Sequence, residues 1–482
     1  MDRKERMAAR HRRPASHIAE AARAIERAMA QAGVPQSGKA EFVNWAVSQL
    51  WKNYKEERMN QKILIDNEIK SLGIRLPNGT VKHDYSASFK LPAEKISDIE
   101  LDGIDELGLT FAISDEGECT LHGKPAAAGD FSLTLRYATI EGEEKSELKI
   151  PIAFNPNPRD LWRNIPTDKN IKYYKPDEAK EYVKVEAAGD GSPRKDIVAA
   201  SQRGRSHAQE GKARDDHFKL LHCPDSDWYI MAVADGAGSA KYSRKGSEVA
   251  CETAVDHCRS HLADNPAFEA AIQQYGRDTT NTEARSAVTR FVYDIVFKGA
   301  VKAHEALNRL ASLDDNDKVK DFNTTLMFAI CKKYDFGWFI ASFWVGDGAM
   351  CLYDETNKTA KLLGVPDEGE FSGQTRFLTM PGIFREQDAA ARRLRMAVVP
   401  DFTALFLMTD GVSDPMFETD RNLNDYARWE EFYHALQTGF PDDEIGGVDL
   451  SDDNEEAQSQ LLRWLDFWSP GNHDDRTIAI LY

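Results

Sequence analysis

The fold of this chain follows from one stretch of sequence, Trp228-Tyr229-Ile230-Met231-Ala232-Val233-Ala234-Asp235-Gly236-Ala237-Gly238-Ser239. Its first seven residues are apolar, which is typical of a strand that is covered on both faces of a sheet. The strand delivers Asp235 to a turn, because Gly236 and Gly238 permit turn dihedrals and let the backbone approach a ligand closely. Taken alone, such an Asp-Gly pair most often marks an ordinary turn.

The same arrangement recurs further along the chain, in Phe343-Trp344-Val345-Gly346-Asp347-Gly348 and in Leu405-Phe406-Leu407-Met408-Thr409-Asp410-Gly411, and the pair Asp474-Asp475 precedes the closing strand. Carboxylates at strand ends offer oxygen ligands on a rigid frame, as a hard divalent cation requires. Two ions that share a carboxylate can activate a water between them and polarise a phosphoryl group. The residues therefore leave two interpretations open: a metal site suited to a phosphomonoester, and Asp-containing turns without a ligand.

Length and composition narrow the class of protein. A chain of 482 residues exceeds one ordinary core, so about two or three domains are expected. No run approaches the roughly 18 to 20 apolar residues that cross a bilayer, and the N-terminus lacks the apolar core of a signal peptide, so we expect a cytoplasmic protein. The net charge of -18 argues against broad affinity for nucleic acid or anionic membranes. Six cysteines without a Cys-x-x-Cys pair predict neither a disulfide framework nor a zinc site.

Two regions precede the acidic segments. Residues 1–75 are predicted to be helical, with a basic, solvated start and an interruption at Gly33-Val34-Pro35. Residues 76–155 contain alternating segments such as Phe131–Tyr137, which predict a small antiparallel β-sandwich. Leu121–Phe131 resembles the strand-turn-strand segment of bacterial immunoglobulin-like, cadherin-like domains, but the clustered Asp ligands of a calcium loop are missing. Residues 156–195, rich in Pro, Lys, Asp and Gly, are predicted to be a linker.

Residues 196–482 contain the acidic segments, and their order resembles a known family. The segments are Gly204-Arg205-Ser206-His207 with Asp215-Asp216, Asp235-Gly236-Ala237-Gly238, Asn323-Thr324-Thr325, Val345-Gly346-Asp347-Gly348, Asp410-Gly411-Val412-Ser413-Asp414 and His473-Asp474-Asp475-Arg476-Thr477. As an ordered set they resemble the metal-dependent protein phosphatase 2C family of bacterial type. The resemblance implies an α+β fold with a four-layer α-β-β-α sandwich, in which two packed antiparallel sheets are flanked by helices.

The resemblance also implies roles for single residues. Asp235 would bridge two Mn²⁺ or Mg²⁺ ions, and Asp410 and Asp474 would complete the first metal site, so these three aspartates are the predicted catalytic residues. The carbonyl of Gly236 would serve the second ion, helped through water by the pair Asp215-Asp216.

Other positions extend or depart from the family pattern. Asp347, with Asp414 as a candidate partner, matches the position of a third, weaker metal. Asp475 stands where the family commonly has Asn and is predicted to be structural. Ala237 replaces a His that is a candidate general acid in eukaryotic members, so the leaving group would be protonated by metal-bound water or by another residue such as His473 or His217, or would need no proton.

The phosphate-binding residue is left open by the sequence. Arg203, His207 and Arg214 are the candidates for binding substrate, with Arg205 close to them, because an Arg presents a planar fork that suits phosphate. The alternative is a solvated basic loop. The segment Gly369–Thr379 looks like the variable segment beside the active site of bacterial relatives, and the alternative here is a surface hairpin without substrate contact.

The sequence thus predicts a signalling enzyme, a metal-dependent protein serine/threonine phosphatase that hydrolyses phosphomonoesters of a phosphoprotein in one step with a metal-bridged hydroxide. The accessory regions would position it on a partner, with a Ser/Thr protein kinase or that kinase's substrate as the candidate. The competing hypothesis is a catalytically weak phosphatase-like scaffold that binds phosphoproteins, which Ala237 keeps open. Asp335-Phe336-Gly337 does not indicate a kinase, since a glycine-rich nucleotide loop and a catalytic-loop motif are missing.

Overall fold

A computed structural model describes residues 14–34, 39–139, 145–187, 194–367, 375–385 and 388–482. The chain divides into two compact units, Met1–Leu161 and Trp162–Tyr482. Three predicted features lie outside the described residues: the basic start of the chain up to residue 13, Pro35 in the helix interruption, and positions 369–374 of the variable segment. Among the helices in the described ranges, none combines the length and the apolar character that a membrane span requires.

Within its described residues, the first unit contains two α-helices and a small β-sandwich. The helices are α1 (Pro14–Gln31) and α2 (Lys39–Ser71). One sheet has the strand order β1-β7-β6-β3 and the other the order β2-β5-β4. The strands are β1 (Gly79–Thr80), β2 (Tyr85–Lys90), β3 (Ile96–Asp102), β4 (Leu109–Ile113), β5 (Glu118–Gly123), β6 (Gly129–Thr139) and β7 (Lys145–Asn155).

Alternation along these strands builds the core of the first unit. Leu133, Leu135 and Tyr137 of β6 join one buried cluster with residues of the second sheet, such as Leu121 of β5. The C-terminal end of α2 belongs to the same cluster through Ile69, which is fully buried. The Tyr137 hydroxyl also donates a hydrogen bond to Asp66 of α2 at 2.9 Å. The end of α2 is therefore fixed to the sandwich by apolar packing and a polar clamp.

The second unit contains two larger antiparallel sheets. The five-stranded sheet has the order β10-β11-β12-β13-β16 and the six-stranded sheet the order β15-β14-β17-β20-β9-β8. A short hairpin, β18 with β19, lies outside both sheets. The strands are β8 (Glu178–Val183), β9 (Ile197–Gln202), β10 (His217–Cys223), β11 (Trp228–Ala234), β12 (Leu326–Tyr334), β13 (Gly337–Val345), β14 (Ala349–Asp354), β15 (Thr359–Gly364), β16 (Leu394–Val399), β17 (Ala404–Met408), β18 (Gly439–Phe440), β19 (Ile445–Gly446) and β20 (Arg476–Leu481).

Helices cover the outer faces of the two sheets. They are α3 (Arg205–Glu210), α4 (Ser243–Leu262), α5 (Pro266–Arg277), α6 (Thr282–Val292), α7 (Lys298–Ala311), α8 (Gly382–Arg385), α9 (Ala389–Arg393), α10 (Asp410–Phe417), α11 (Tyr426–Thr438) and α12 (Ala457–Trp464). One buried cluster joins α4 to α7 with the five-stranded sheet, and another joins α11 and α12 with the six-stranded sheet. A third cluster fills the space between the sheets. The result is the predicted four-layer α-β-β-α sandwich.

Strand β11 shows why the deciding stretch is apolar without interruption. Tyr229, Met231 and Val233 point into the cluster between the sheets, whereas Trp228, Ile230 and the alanines beside them point toward the helices. All seven residues are fully buried. A strand with both faces in a core has no position at which water would favour a polar side chain, so the usual alternation disappears.

Part of the segment predicted to be a linker is ordered in the second unit. Residues 178–183 form β8, which pairs antiparallel with β9 at the edge of the six-stranded sheet. Its residues are exposed or half-buried, as expected for an edge strand, and its composition is correspondingly polar. Composition alone therefore could not separate this strand from a linker.

Candidate active site

The ends of three strands bring together three of the predicted metal ligands. Strands β11 and β13 both run antiparallel to β12, so their C-terminal ends lie at the same edge of the sheet. Asp235 follows β11, Asp347 lies two residues beyond β13, and Asp410 begins α10 after β17. One carboxylate oxygen from each lies within 4.8 Å of the others. The structure thus collects into one cluster three aspartates that are more than 170 residues apart in sequence at the extremes.

Burial and mutual repulsion disfavour the charged form of the clustered aspartates. Burial raises the pKa of Asp235 well above its usual range, and the charges of Asp410 and Asp216 raise it further. Burial likewise raises the pKa of Asp410, with Asp347 and Asp474 as the main neighbouring charges. Among the residues that the structure describes, none donates a hydrogen bond to the buried Asp347 Oδ1 atom, while Thr375 donates one to Oδ2. Buried carboxylates that lack donors fit oxygen-loving divalent cations, which would neutralise them.

The pair Asp215-Asp216 lies directly against the deciding turn. A Cβ atom at Gly236 would lie 2.5 Å from the carbonyl oxygen of Asp215, so only glycine allows this approach. Asp216 Oδ2 accepts hydrogen bonds from Thr477 at 2.7 Å and from Thr409 at 3.0 Å. The Oδ1 atoms of both aspartates are buried and have no hydrogen-bond partner in the described part of the chain. Burial, followed by the charge of Asp475, raises the pKa of Asp215 to about 6 and that of Asp216 as well.

Asp475 has the geometry of a structural residue, as the sequence predicts. Its Oδ1 accepts hydrogen bonds from the Gly204 amide at 2.6 Å and from His207 Nδ1 at 3.1 Å. Its Oδ2 accepts one from the Asp215 amide at 2.5 Å. Burial opposes ionisation, but the bond and charge of His207 and the two amides lower the pKa of Asp475. Asp475 therefore ties the start of α3 to the first acidic pair.

His207 lies between Asp475 and a predicted metal ligand. Its Nε2 atom is 3.9 Å from Asp474 Oδ1. Burial opposes protonation, but the hydrogen bond and charge of Asp475 raise the pKa of His207 to about 9. His207 is therefore a cation near neutral pH, placed beside the carboxylates rather than in a solvated loop.

Asp414 shares a cavity with Asp347. Both residues line a cavity of about 200 Å³ together with Phe417 and Leu423. Burial, followed by the charge of Asp347, raises the pKa of Asp414 to about 6. The two predicted partners for a third ion are thus neighbours in space.

The other two predicted phosphate-binding residues are themselves buried and donate hydrogen bonds within the protein. Arg203 donates hydrogen bonds to Asn164 at 2.6 Å and to Thr167 at 2.5 Å. Arg214 is 2% exposed and donates to the Pro176 carbonyl and to Ser201. Arginines that are buried and turned to internal acceptors fit a role in holding the fold. The internal hydrogen bonds favour a structural role for Arg203 and Arg214, and substrate binding by these two residues stays a prediction.

The candidate proton donors differ in their surroundings. Burial, followed by the charges of Lys175 and Arg214, lowers the pKa of His217 at the start of β10. The His473 ring lies between two tryptophans, with ring centroids 4.4 Å from Trp162 and 5.0 Å from Trp468. Burial also lowers the pKa of His473. Both imidazoles are therefore biased toward the neutral form.

Four threonines hold Asp235 and Asp216 by hydrogen bonds to backbone or carboxylate, and no role was predicted for them from the sequence. Thr325 Oγ1 accepts a hydrogen bond from the Asp235 amide at 2.8 Å, and the Thr324 hydroxyl donates one to the Asp235 carbonyl at 2.9 Å. Thr409 and Thr477 bond Asp216 as described above. Each of the four lies within an acidic segment or the Asn-Thr-Thr segment. This position in the sequence is the signal by which they could have been found.

One protein family and several solved structures are similar to this chain. The family model described as Protein phosphatase 2C matches residues 203–466. No curated protein matches the chain. Solved structures similar to this chain include a bacterial serine phosphatase, with 11% identity over 59% of this chain and 96% of that one and a TM-score of 0.34. Another is a serine-threonine phosphatase 2C from Toxoplasma gondii, with 15% identity over 63% and 98% and a TM-score of 0.38.

A third similar structure is the phosphatase domain of the cell fate determinant SpoIIE from Bacillus subtilis, with 12% identity over 63% of this chain and 92% of that one and a TM-score of 0.25. The family match covers more than half of the 482 residues and includes the first acidic pair, the deciding turn and the Asp410 segment. The chain therefore belongs to the protein phosphatase 2C family and is a phosphoprotein phosphatase.

Proposed function

We propose that this chain hydrolyses phosphoserine and phosphothreonine esters of proteins in one step, using water activated by two divalent ions, Mn²⁺ or Mg²⁺. The observation that carries the proposal is the cluster of Asp235, Asp347 and Asp410, whose carboxylate oxygens lie within 4.8 Å of one another. Ions bound there would lower the pKa of a water molecule and polarise the phosphoryl group.

The residues present fit such ions. Asp235 would bridge the two, Asp410 and Asp474 would complete the first site, and the Gly236 carbonyl with the pair Asp215-Asp216 would serve the second. The Oδ1 atoms of Asp215, Asp216 and Asp347 support this assignment, because each is a buried acceptor without a donor within the described ranges. Asp347 and Asp414 would hold a third, weaker ion.

The basic group that supports substrate binding is His207. We choose His207 among the three residues predicted for this role because its Nε2 atom lies 3.9 Å from Asp474, whereas the guanidinium groups of Arg203 and Arg214 donate to internal acceptors. As a cation it would lower the local negative potential that a phosphate dianion meets on approach. It also holds Asp475, so it would orient the first acidic pair in addition.

The setting of the enzyme is the remaining part of the proposal. The helices and the sandwich of the first unit, which we assign to the immunoglobulin-like class, would position the phosphatase on a signalling partner in the cytoplasm. A Ser/Thr protein kinase or its substrate is the proposed partner. The domain boundaries proposed here are residues 1–75, 76–155, 156–195 and 196–482.

The test is Mn²⁺-dependent hydrolysis of a small aryl phosphate and of a phosphothreonine peptide. Wild type and Asp225→Ala should be active, and Asp410→Ala should lose activity on both substrates. Asp225 is a matched control because it is exposed and lies at the other end of β11 from Asp235. Activity that is absent from wild type, or that survives both chelation and Asp410→Ala, would contradict the proposal. Peptide binding without turnover would instead favour the scaffold hypothesis.

A further inference from the structure

Residues 162–177, which we call the strap, precede the family match and contact elements that surround the proposed metal ligands. At its start, the Trp162 ring packs against His473, the neighbour of Asp474, with centroids 4.4 Å apart. The Ile165 amide then donates a hydrogen bond to the Ala208 carbonyl of α3 at 2.9 Å. The strap is thus part of the second unit and contacts His473 and α3, although it precedes the family match in sequence.

The middle of the strap is fixed to the start of α4. The Arg244 guanidinium donates hydrogen bonds to the carbonyls of Tyr173 at 2.9 Å and Lys172 at 2.6 Å. The Tyr173 ring makes an edge contact with Tyr242 at a centroid distance of 5.3 Å. Tyr242 ends the loop that begins at Gly236, so this part of the strap packs against the turn that follows Asp235.

Lys175 makes the contact that matters most for the acidic pair. It is 6% exposed, and its Nζ atom donates hydrogen bonds to the Asp216 carbonyl at 3.0 Å and to Ser247 Oγ at 3.2 Å. Ser247 Oγ in turn donates to the Asp215 carbonyl at 2.5 Å. A buried amino group is costly unless it is well paired, and here the Asp216 carbonyl and Ser247 Oγ pair it, which favours a role in positioning. Lys175 and Ser247 together fix the backbone of both aspartates.

We infer that Lys175 is a positioning residue of the phosphatase, which holds the Asp215-Asp216 backbone so that these side chains and the Gly236 turn form the second metal site. The inference rests on the proposed function. It extends the site to a residue outside the family match, in a segment whose composition is that of a linker. Groups that orient metal ligands from outside the coordination sphere typically change metal affinity about 10-fold to 100-fold when removed.

The sign of the effect separates positioning from simple charge. An ammonium group near a cation site repels the cation, so if charge dominated, Lys175→Met would bind Mn²⁺ more tightly. If positioning dominates, the same variant binds Mn²⁺ more weakly, because the carbonyl of Asp216 loses its donor and the acidic pair loses its anchor. We expect the second result.

The experiment is calorimetric titration of the full chain with Mn²⁺. Lys175→Met should weaken Mn²⁺ binding about tenfold or more, and Ser247→Ala should weaken it in the same direction. At saturating Mn²⁺, the hydrolysis rate of Lys175→Met should return toward the wild-type value. A circular dichroism spectrum equal to that of wild type without Mn²⁺ would exclude simple instability, which Mn²⁺ binding would also rescue. Lys195→Met is the matched control. Lys195 is also poorly exposed, but it precedes β9 at the end of the sheet opposite Asp475 and pairs with Asp401.

Equal or tighter Mn²⁺ binding by Lys175→Met would overturn the inference. If Lys175→Met does not unfold cooperatively, Ser247→Ala decides, and unchanged Mn²⁺ affinity in that variant would overturn it as well. Wild type that binds no Mn²⁺ would sink the proposed function and the inference together. If wild type binds Mn²⁺ and hydrolyses phosphopeptide while Lys175→Met and Ser247→Ala keep the wild-type Mn²⁺ affinity, the positioning role of Lys175 alone is refuted.

Discussion

Replacing Asp410 with asparagine tests whether the carboxylate cluster is held together against its own charge. Asp410 begins α10, and burial with the charges of Asp347 and Asp474 raises its pKa well above the usual range. Asparagine keeps the shape of the side chain and removes the charge. Without metal, the variant should therefore be more stable than wild type, even though it loses the proposed function.

The size of the gain follows from the geometry. Two carboxylate charges 4.8 Å apart, the upper distance within the cluster, repel by about 3.5 kcal/mol at an effective dielectric constant of about 20. Proton uptake by one carboxyl relieves part of this repulsion, and loss of the charge at the helix N-terminus costs about 0.5 kcal/mol. We expect a net gain of about 2 kcal/mol in the free energy of unfolding, or about 4 °C in the unfolding midpoint of a unit of this size.

The assay is thermal unfolding at pH 8 with EDTA and again with excess Mn²⁺. Wild type should gain stability from Mn²⁺, because a ligand that binds the folded state stabilises it, and Asp410→Asn should lose most of that gain. Asp225→Asn should behave like wild type in both buffers. If the thermal unfolding midpoint of Asp410→Asn in EDTA falls below that of wild type, the Asp410 charge stabilises the fold, and the predicted repulsion within the cluster is wrong.

Three further predictions concern pH and the structural residues. Burial raises the pKa of Asp215 to about 6 in the folded protein, so in EDTA its ionisation should destabilise the fold as pH rises from about 4 to about 6. The urea midpoint of Asp215→Asn should therefore exceed that of wild type only toward the upper end of this range. A difference that does not change with pH would contradict the raised pKa. Arg214→Met should lower the free energy of unfolding in urea by about 3 kcal/mol, because it breaks a buried polar network, and should leave the KM of the folded enzyme unchanged. A raised KM with unchanged stability would instead indicate that Arg214 binds phosphate. Asp66→Ala should lower the free energy of unfolding of the first unit by about 1 to 3 kcal/mol and speed amide hydrogen exchange near Ile69, whereas unchanged exchange would show that the clamp to Tyr137 is dispensable.

The sequence carried the larger features of the fold because they depend on local pattern. The uninterrupted apolar run of β11 predicted a strand with both faces buried, and the structure confirms it. The order of the acidic segments predicted the family and the sandwich, because each segment lies at a strand end where a turn and a carboxylate coincide. Gly236 could be singled out for the same reason, since close approach of the backbone demands glycine.

The features that the sequence did not reveal depend on pairing at long range. Arg214 stands in a basic run that reads as a solvated loop, and only its packing against Ser201 and Pro176 shows that it is buried. Strand β8 and Lys175 lie in a stretch rich in Pro, Lys and Asp, which is typical of a linker. Their roles come from contacts with β9 and Asp216, each more than ten residues away, and composition carries no record of such contacts.

Electron paramagnetic resonance of the Mn²⁺-loaded protein tests whether the Asp235 carboxylate is shared by two ions. With two Mn²⁺ ions bound per chain, wild type should give the spectrum of a magnetically coupled pair. Asp235→Asn should give the spectrum of isolated Mn²⁺, because the carboxylate shared by the two ions is gone. A coupled pair that persists in Asp235→Asn, or isolated ions in fully loaded wild type, would contradict the bridging role proposed for Asp235.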